Sequence, residues 1–363
     1  MRQIVVSAIK SDKGLQFVRR YQRIVVFVSP ICMASVILLL WLTSDGERRM
    51  TVLCLLPLLL GPPVMAWNIW NIGAMQAAHS WRSLATGQVL ASLFAIIVGV
   101  PLVVVYANPF GASLGAVTVE IVMAIWCSVA AKGLPNRIDR RSDRSRKDYR
   151  TMAVYSGLAW GQGQTDRLFV GLVAGSHTLG VLSLGASLSR ALGDAVASSN
   201  ANLLRAELAS APASRAERLG TKVLLRGMIL AAAAAVLTAC ANKWVLIPIL
   251  SESWRPALEI VPLLCLSVVP SVLSWSAAVY HVRFNTGKRA LIGPFVSIVI
   301  ALPLSMLSLL SLQALGIGIV VREFVMVAVS YMAIGRRAPW QALYGALAIT
   351  ALLGAAVFTL DMI

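Results

Sequence analysis

The sequence predicts an all-α polytopic membrane protein, and three observations support that fold class. First, 58% of the 363 residues are hydrophobic and only 13% are charged, whereas soluble domains carry about 25% charged residues. Second, apolar blocks recur from Ile24 to the C-terminus. Each is close to the ~20 residues that a helix needs to cross the ~30 Å hydrocarbon core of a bilayer. Third, lysine and arginine are concentrated in every second gap between these blocks.

The apolar blocks predict about eleven transmembrane helices, which we number as spans in chain order. They fall at residues 24–43, 51–72, 83–106, 111–131, 152–174, 178–199, 223–242, 257–280, 290–311, 314–334 and 341–360. Several spans contain proline. This is compatible with the prediction, because neighbouring helices can satisfy the backbone groups that a proline leaves unpaired.

The positive charges predict a cytoplasmic N-terminus. With that orientation, 25 of the 32 Lys and Arg residues fall in inside segments, four in outside segments and three within spans. Such an asymmetry is typical of membrane proteins. It also explains the net charge of +17 without nucleic acid as a partner. The odd number of spans places the C-terminus on the outside. The five cysteines and three histidines have no paired spacing, so we expect no disulfide, metal site or cofactor.

An internal repeat predicts two pseudo-symmetric lobes. At an offset of 203 residues, five positions in the fourth span match five in the tenth: Gly115, Glu120, Val122, Met123 and Ala130 with Gly318, Glu323, Val325, Met326 and Ala333. Spans one to four then pair with spans seven to ten and run in the same directions. Transporters built from parallel repeats bind substrate between the repeats.

The repeat also predicts the domain organisation. We expect an N-terminal lobe of four helices at residues 1–131 and a basic cytoplasmic linker at residues 132–151. A C-terminal lobe of six helices follows at residues 152–335, and an additional helix at residues 336–363. The fifth and sixth spans have no partner in the first half, so the N-terminal lobe is short by two helices. Either a misplaced start codon or natural shortening would produce this pattern.

Three motifs in the second half resemble those of the polysaccharide and O-antigen flippases. Residues 165–175, an aspartate followed by apolar residues and glycines, resemble the seventh-helix signature of that family. Residues 249–257 are similar to its periplasmic turn, with Glu252 or Ser253 at the usual glycine position, and residues 285–289 to its cytoplasmic glycine-basic turn. The resemblance implies the multidrug and polysaccharide exporter superfamily, with a MATE-like fold and location in the bacterial inner membrane.

The resemblance further implies translocation of a polyprenyl-diphosphate-linked oligosaccharide for cell-surface or exported polysaccharide synthesis. The expected partners are this substrate, membrane lipids and other polysaccharide-assembly proteins. Three alternatives remain open. They are a cation-coupled small-molecule exporter of the same superfamily, a membrane polysaccharide polymerase or ligase, and a non-functional remnant. The enzyme is disfavoured because the longest outside loop, residues 242–256, contains no histidine and no nucleophile–base arrangement.

Ionisable residues within the spans are the candidate functional residues. Each costs about 2.5–3.5 kcal/mol at the centre of a spanning helix on insertion scales, so we expect these side chains to face the protein interior. They are Glu120, Asp166, Arg167, Arg190, Asp194, Arg322 and Glu323.

Spacing along the helices predicts how these residues are arranged. Arg190 and Asp194 are four residues apart and are expected to pair. The neighbours Asp166/Arg167 and Arg322/Glu323 are ~100° apart around their helices, so we expect the two members of each pair to face different surroundings.

Two interpretations of these charges follow. In the first, Arg167, Arg190 and Arg322 contact the diphosphate, which suits a guanidinium fork. Four acids then bind a proton or a coupling cation: Glu120, Asp166, Asp194 and Glu323. In the second, all of these residues form interhelical ion pairs that hold the lobes together.

The orientation is tested by reporter fusions within residues 132–150 and at the C-terminus. We expect a cytoplasmic reporter to be active in the first position and a periplasmic reporter in the second, because the Lys and Arg distribution assigns those sides. A periplasmic signal from residues 132–150 would contradict the predicted topology.

Overall fold

The computed structural model describes residues 12–43, 49, 52–78, 80–106, 110–132, 146–210, 213–250, 252–284 and 286–362. These residues form helices and short turns, and no strand is present among them, which confirms the predicted all-α fold class. The chain divides into two compact units, Met1–Ala153 and Val154–Ile363. Much of the predicted basic linker, residues 133–145, lies outside the described residues.

Four α-helices of at least seventeen residues and one 3₁₀-helix lie wholly within the described part of the first unit. Helix α1 spans Asp12–Thr43, α2 Gly61–Ala77, α3 Trp81–Tyr106 and α4 Phe110–Lys132, and the 3₁₀-helix Leu56–Leu60 precedes α2. Their apolar faces form a core contributed by α2, α3 and α4, with the buried residues Ile72, Met75, Ala91, Met123 and Cys127.

Glycines allow α3 and α4 to approach closely. A Cβ atom at Gly111 would lie 2.5 Å from the Val103 amide nitrogen and 2.6 Å from the Gly99 carbonyl oxygen. At Gly115, a Cβ would lie 3.2 Å from the Ala95 carbonyl oxygen. Small residues permit such backbone contacts between membrane helices, where van der Waals packing drives association.

The second unit contains seven α-helices of at least eleven residues among its described residues. They are α5 Arg146–Ser210 (which begins in the first unit), α6 Ala213–Ala241, α7 Arg255–Cys265, α8 Val268–Phe284, α9 Ile292–Ser305, α10 Leu312–Ile334 and α11 Trp340–Met362. Their largest core includes Ala201, Leu224, Val272, Val327 and Ala346, one residue each from α5, α6, α8, α10 and α11.

Helix α5 consists of two arms that meet at Gly175. This glycine has φ 82° and ψ 177°, a backbone conformation that residues with a Cβ rarely adopt. The apolar stretch Val154–Arg205 has 52 residues, and at 1.5 Å per residue it would be about 78 Å long if straight. That length exceeds twice the hydrocarbon thickness. The break falls between the predicted fifth and sixth spans, residues 152–174 and 178–199.

The predicted eighth span is bent by 59° between α7 and α8. Pro270 accounts for the position of the bend, because it has no N–H to donate to the carbonyl of Leu266, four residues earlier. Around the bend, backbone N–H groups donate to the carbonyl three residues earlier, as in a 3₁₀-helix. Leu266 N donates to the Leu263 carbonyl and Ser267 N to the Leu264 carbonyl.

The described residues include eight helices that are long and apolar enough to cross a membrane, or nine if α7 and α8 count as one bent span. Two features explain the difference from the predicted eleven. Helix α5 contains two predicted spans. The second span is divided into the 3₁₀-helix Leu56–Leu60 and the 17-residue helix α2, each of which has proline in its first turn. The structure therefore has the fold of a polytopic membrane protein.

The contact between α3 and α4 is tested by Gly111→Ala. The added methyl group would lie against backbone atoms, which cannot rotate away, so we expect a loss of about 1–3 kcal/mol in the free energy of unfolding. The measurement is thermal unfolding of the purified protein in detergent. The control is Gly163→Ala in α5, where a Cβ would meet no atom within 4 Å. Equal stability of both variants would contradict the close contact.

Candidate functional site: a buried charge network

Five ionisable side chains of the second unit form a connected group, which we call the charge network. Asp166 lies on the first arm of α5, Arg190 and Asp194 on the second arm, and Arg322 and Glu323 on α10. The network therefore joins three helical segments that are distant in sequence.

Arg322 is the centre of the charge network. It is only 1% exposed, so its charge is compensated by protein groups rather than by water. Its Nη1 donates a hydrogen bond to Asp166 Oδ1. Its Nη2 donates to Glu323 Oε1 at 3.4 Å. One guanidinium group thus contacts a carboxylate of α5 and a carboxylate of its own helix.

Arg190 extends the network to its more accessible side. Its Nη1 lies 3.9 Å from Glu323 Oε1, and its Nε lies 3.6 Å from Asp194 Oδ1. The side chains of Arg190 and Asp194 are 29% and 42% exposed, whereas that of Glu323 is 2% exposed. Accessibility therefore increases from Arg322 and Glu323 towards Asp194.

The charge network contains three carboxylates and two guanidinium groups. When all five are ionised, one negative charge remains uncompensated. A proton or a monovalent cation would neutralise it, and a bound anion would add to it. The composition of the network therefore favours a cation over an anion as its ligand.

Apolar side chains surround the network along the helices. Val170 follows Asp166 by one turn of α5, and Ile319 precedes Arg322 by about one turn of α10; both belong to one buried hydrophobic cluster. Met326 follows Arg322 by one turn and is also buried. Such surroundings have a low dielectric constant, which strengthens attraction between paired charges and raises the cost of an unpaired one.

The structure brings together five of the seven predicted residues. The expected contact between Arg190 and Asp194 is present. Arg167 is half-buried and makes no salt bridge within the part of the chain that the structure describes, although its neighbour Asp166 belongs to the network. Glu120 lies on α4 in the first unit and is half-buried there. The transport roles assigned to all seven residues remain predictions.

One sequence-based expectation is wrong in detail. Arg322 and Glu323 do not have separate surroundings, because their side chains contact each other and share the same network. The length of the Arg322 side chain explains this difference, since its guanidinium group extends well beyond the backbone position that sets the ~100° offset.

Polar amides in the first unit were not among the residues predicted from the sequence. Asn71 on α2 donates a hydrogen bond to Ser128 Oγ on α4 at 3.0 Å. Asn68 is completely buried, and its amide has no hydrogen-bond partner among the described residues. The sequence does contain a signal for them, namely two asparagines within the apolar stretch Trp67–Gly73. An uncharged amide in a spanning helix also needs a hydrogen-bond partner.

The pairing of Arg322 with Asp166 is tested by a double-mutant cycle. We expect Arg322→Gln to lower the free energy of unfolding by about 3–5 kcal/mol, because it leaves buried carboxylates without a partner. Adding Asp166→Asn should recover part of that loss. The control is Arg167→Gln, on the same helix as Asp166. It should change the free energy of unfolding by less than about 0.5 kcal/mol. Strictly additive effects of the two network substitutions would contradict the pairing.

Comparison with known proteins supports the fold. No protein-family model matches the sequence, and no curated protein matches it. One solved structure with a similar fold is described as the outward-facing conformation of a multidrug resistance MATE family transporter of the MOP superfamily. The TM-score is 0.53 at 16% identity, over 97% of this chain and 83% of the other. The chain is thus similar in fold to a MATE family transporter of the MOP superfamily.

Proposed function

We propose that this chain is a membrane transporter that moves a lipid-linked oligosaccharide from one leaflet of the membrane to the other. The observation that carries the transport function is a charge network held inside a lipid-embedded helical bundle whose fold is similar to that of a MATE transporter. The substrate class rests on the three sequence motifs that resemble those of polysaccharide flippases.

The energetic cost of placing ionisable side chains in spanning helices supports a role of the charge network in transport. Ionisable groups in spanning helices are energetically unfavourable and by default indicate a functional site. The network joins both arms of α5 to α10, so a movement of α5 about Gly175 would require some of these contacts to change. In alternating access, one lobe or bundle rocks against the other around a binding site.

Arg190 is the arginine of the network that is best placed to meet a substrate. Its side chain is 29% exposed, whereas Arg322 is enclosed and already contacts two carboxylates. We therefore assign the predicted diphosphate contact to Arg190 and a supporting role to Arg322. An incoming diphosphate would compete with Asp194 and Glu323 for the Arg190 guanidinium group. Because the network already has one more carboxylate than guanidinium groups, this contact requires its carboxylates to take up protons or cations when the diphosphate binds.

A cation-coupled small-molecule exporter is the second candidate, and one observation favours it. The network has one more carboxylate than guanidinium groups, and this excess suits a proton or a monovalent cation. In this alternative, Asp166, Asp194 and Glu323 bind the coupling ion and the substrate is a small molecule. The same chemistry would also serve a glycan flippase driven by an ion gradient.

The two functions are separated by expression in a bacterial strain that lacks its glycan flippase. We expect the chain to restore surface glycan and to prevent accumulation of the lipid-linked precursor. Arg190→Gln should reduce both effects at least about tenfold at an unchanged membrane level, because a fixed charge at the substrate is lost. Arg255→Gln is the matched control, since Arg255 also pairs with acids but is exposed at the start of α7.

A different pattern would contradict the glycan substrate. If surface glycan is not restored but the strain expels a small cationic dye, and Glu323→Gln abolishes that efflux, the chain is a small-molecule exporter. If neither activity is observed with the protein correctly inserted, the transport function itself is wrong.

A further inference from the structure

A second charged site lies at one end of the second unit, away from the charge network in sequence. A cavity of about 410 Å³ is lined by Arg289, Arg336 and Arg337 together with Phe284 and Thr286. None of the lining residues that the structure describes is acidic. The volume lies within the ~300–1,000 Å³ that is usual for small-ligand sites. We call it the arginine cavity.

Two glycine-dependent turns place the three arginines. The first is the 3₁₀-helix Gly287–Leu291, which begins at Gly287 with φ 57° and carries Arg289. The second is the 3₁₀-helix Gly335–Arg337, which begins at Gly335 with φ 81°. Positive φ values favour glycine. The arginines are therefore held by two defined backbone turns at the ends of adjoining helices.

Further contacts fix the walls of the arginine cavity. The guanidinium carbon of Arg337 lies 5.5 Å from the centre of the Phe284 ring, within the distance of a cation–π interaction. Thr286 Oγ1 lies 2.8 Å from His281 Nδ1, and His281 is 1% exposed. One arginine and one hydroxyl group are thus positioned by neighbouring side chains.

The cavity lies where the spanning helices end. Phe284 is the last residue of α8, and Ile334 is the last residue of α10. The next helix begins with Trp340, whose indole N–H donates to the Gly335 carbonyl oxygen at 3.3 Å. Tryptophan is enriched at the boundary between hydrocarbon and water. A site at such helix ends, beside a tryptophan, is expected at the level of the lipid headgroups, on the side that the sequence assigns to the cytoplasm.

We propose that the arginine cavity binds the phosphate headgroup of an anionic phospholipid. Guanidinium forks suit phosphate oxygens, and because the described lining residues include three arginines and no acid, the cavity suits an external anion. Exposed apolar side chains adjoin both turns, with Ile292 beside the first and Met332 before the second. A lipid could contact these with its acyl chains while its phosphate contacts the arginines, whereas a free anion would use only the polar part of the site.

The test is lipid retention by the purified full-length protein, measured by native mass spectrometry. The probes are phosphatidylglycerol and phosphatidylcholine with identical acyl chains, added separately in detergent. We expect selective retention of phosphatidylglycerol. Arg289→Gln and Arg336→Gln should each weaken it roughly fivefold, which corresponds to about 1 kcal/mol per basic residue at a lipid headgroup.

Lys288→Gln is the matched control, because Lys288 carries the same charge in the same turn and is exposed but does not line the cavity. It should leave retention unchanged. An equal loss in Lys288→Gln, or equal retention of phosphatidylcholine, would overturn the proposal in favour of diffuse attraction. The helical circular dichroism and elution volume of each variant check its folding, and Arg336→Lys provides a second variant that preserves the charge but not the fork.

Two further probes identify the ligand. Glycerol 1-phosphate at the same concentration should not displace phosphatidylglycerol; if it does, the cavity binds free phosphate compounds and the lipid assignment is wrong. A short-chain prenyl diphosphate should bind no better than phosphatidylglycerol. A strong preference for it would make the cavity a substrate site and overturn the assignment to a membrane phospholipid. Neither result depends on whether the chain transports a glycan.

Discussion

The need to neutralise Arg322 inside the protein determines the arrangement of the second unit around it. A guanidinium group that is 1% exposed cannot be solvated by water, and a charge buried without a partner costs several kcal/mol. Its partners, Asp166 and Glu323, must therefore stay within reach. Because Glu323 also contacts Arg190, this requirement restrains both arms of α5 relative to α10.

Hydropathy predicts most of the fold because a bilayer permits few alternatives. Every backbone polar group in the hydrocarbon must be paired, so each apolar block of sufficient length becomes a helix. The consequences of proline were harder to predict. Pro30 lies within the continuous helix α1, whereas Pro270 accompanies a 59° bend. The outcome depends on which neighbouring groups replace the missing hydrogen bond, and the local sequence does not contain that information.

The members of the charge network could be predicted from the sequence, but most of their pairings could not. The Arg190–Asp194 contact follows from helical spacing. Asp166 and Arg322 are 156 residues apart, and their contact depends on how α5 and α10 are rotated about their axes. The same rotation excludes Arg167 from the network, although it is adjacent to Asp166. Arg289, Arg336 and Arg337 were visible in the sequence only as topological charges, because their convergence on one cavity depends on two turns.

The shape of the arginine side chain explains why position 322 suits arginine better than lysine. Its Nη1 contacts a carboxylate of α5 while its Nη2 contacts a carboxylate of α10. A lysine ammonium group is a single point charge, so it cannot approach both oxygens with separate nitrogen atoms. Lysine would preserve the formal charge but weaken at least one contact, in a region where each unpaired carboxylate is costly. The geometry of the fork, and not only its charge, therefore connects the two helices.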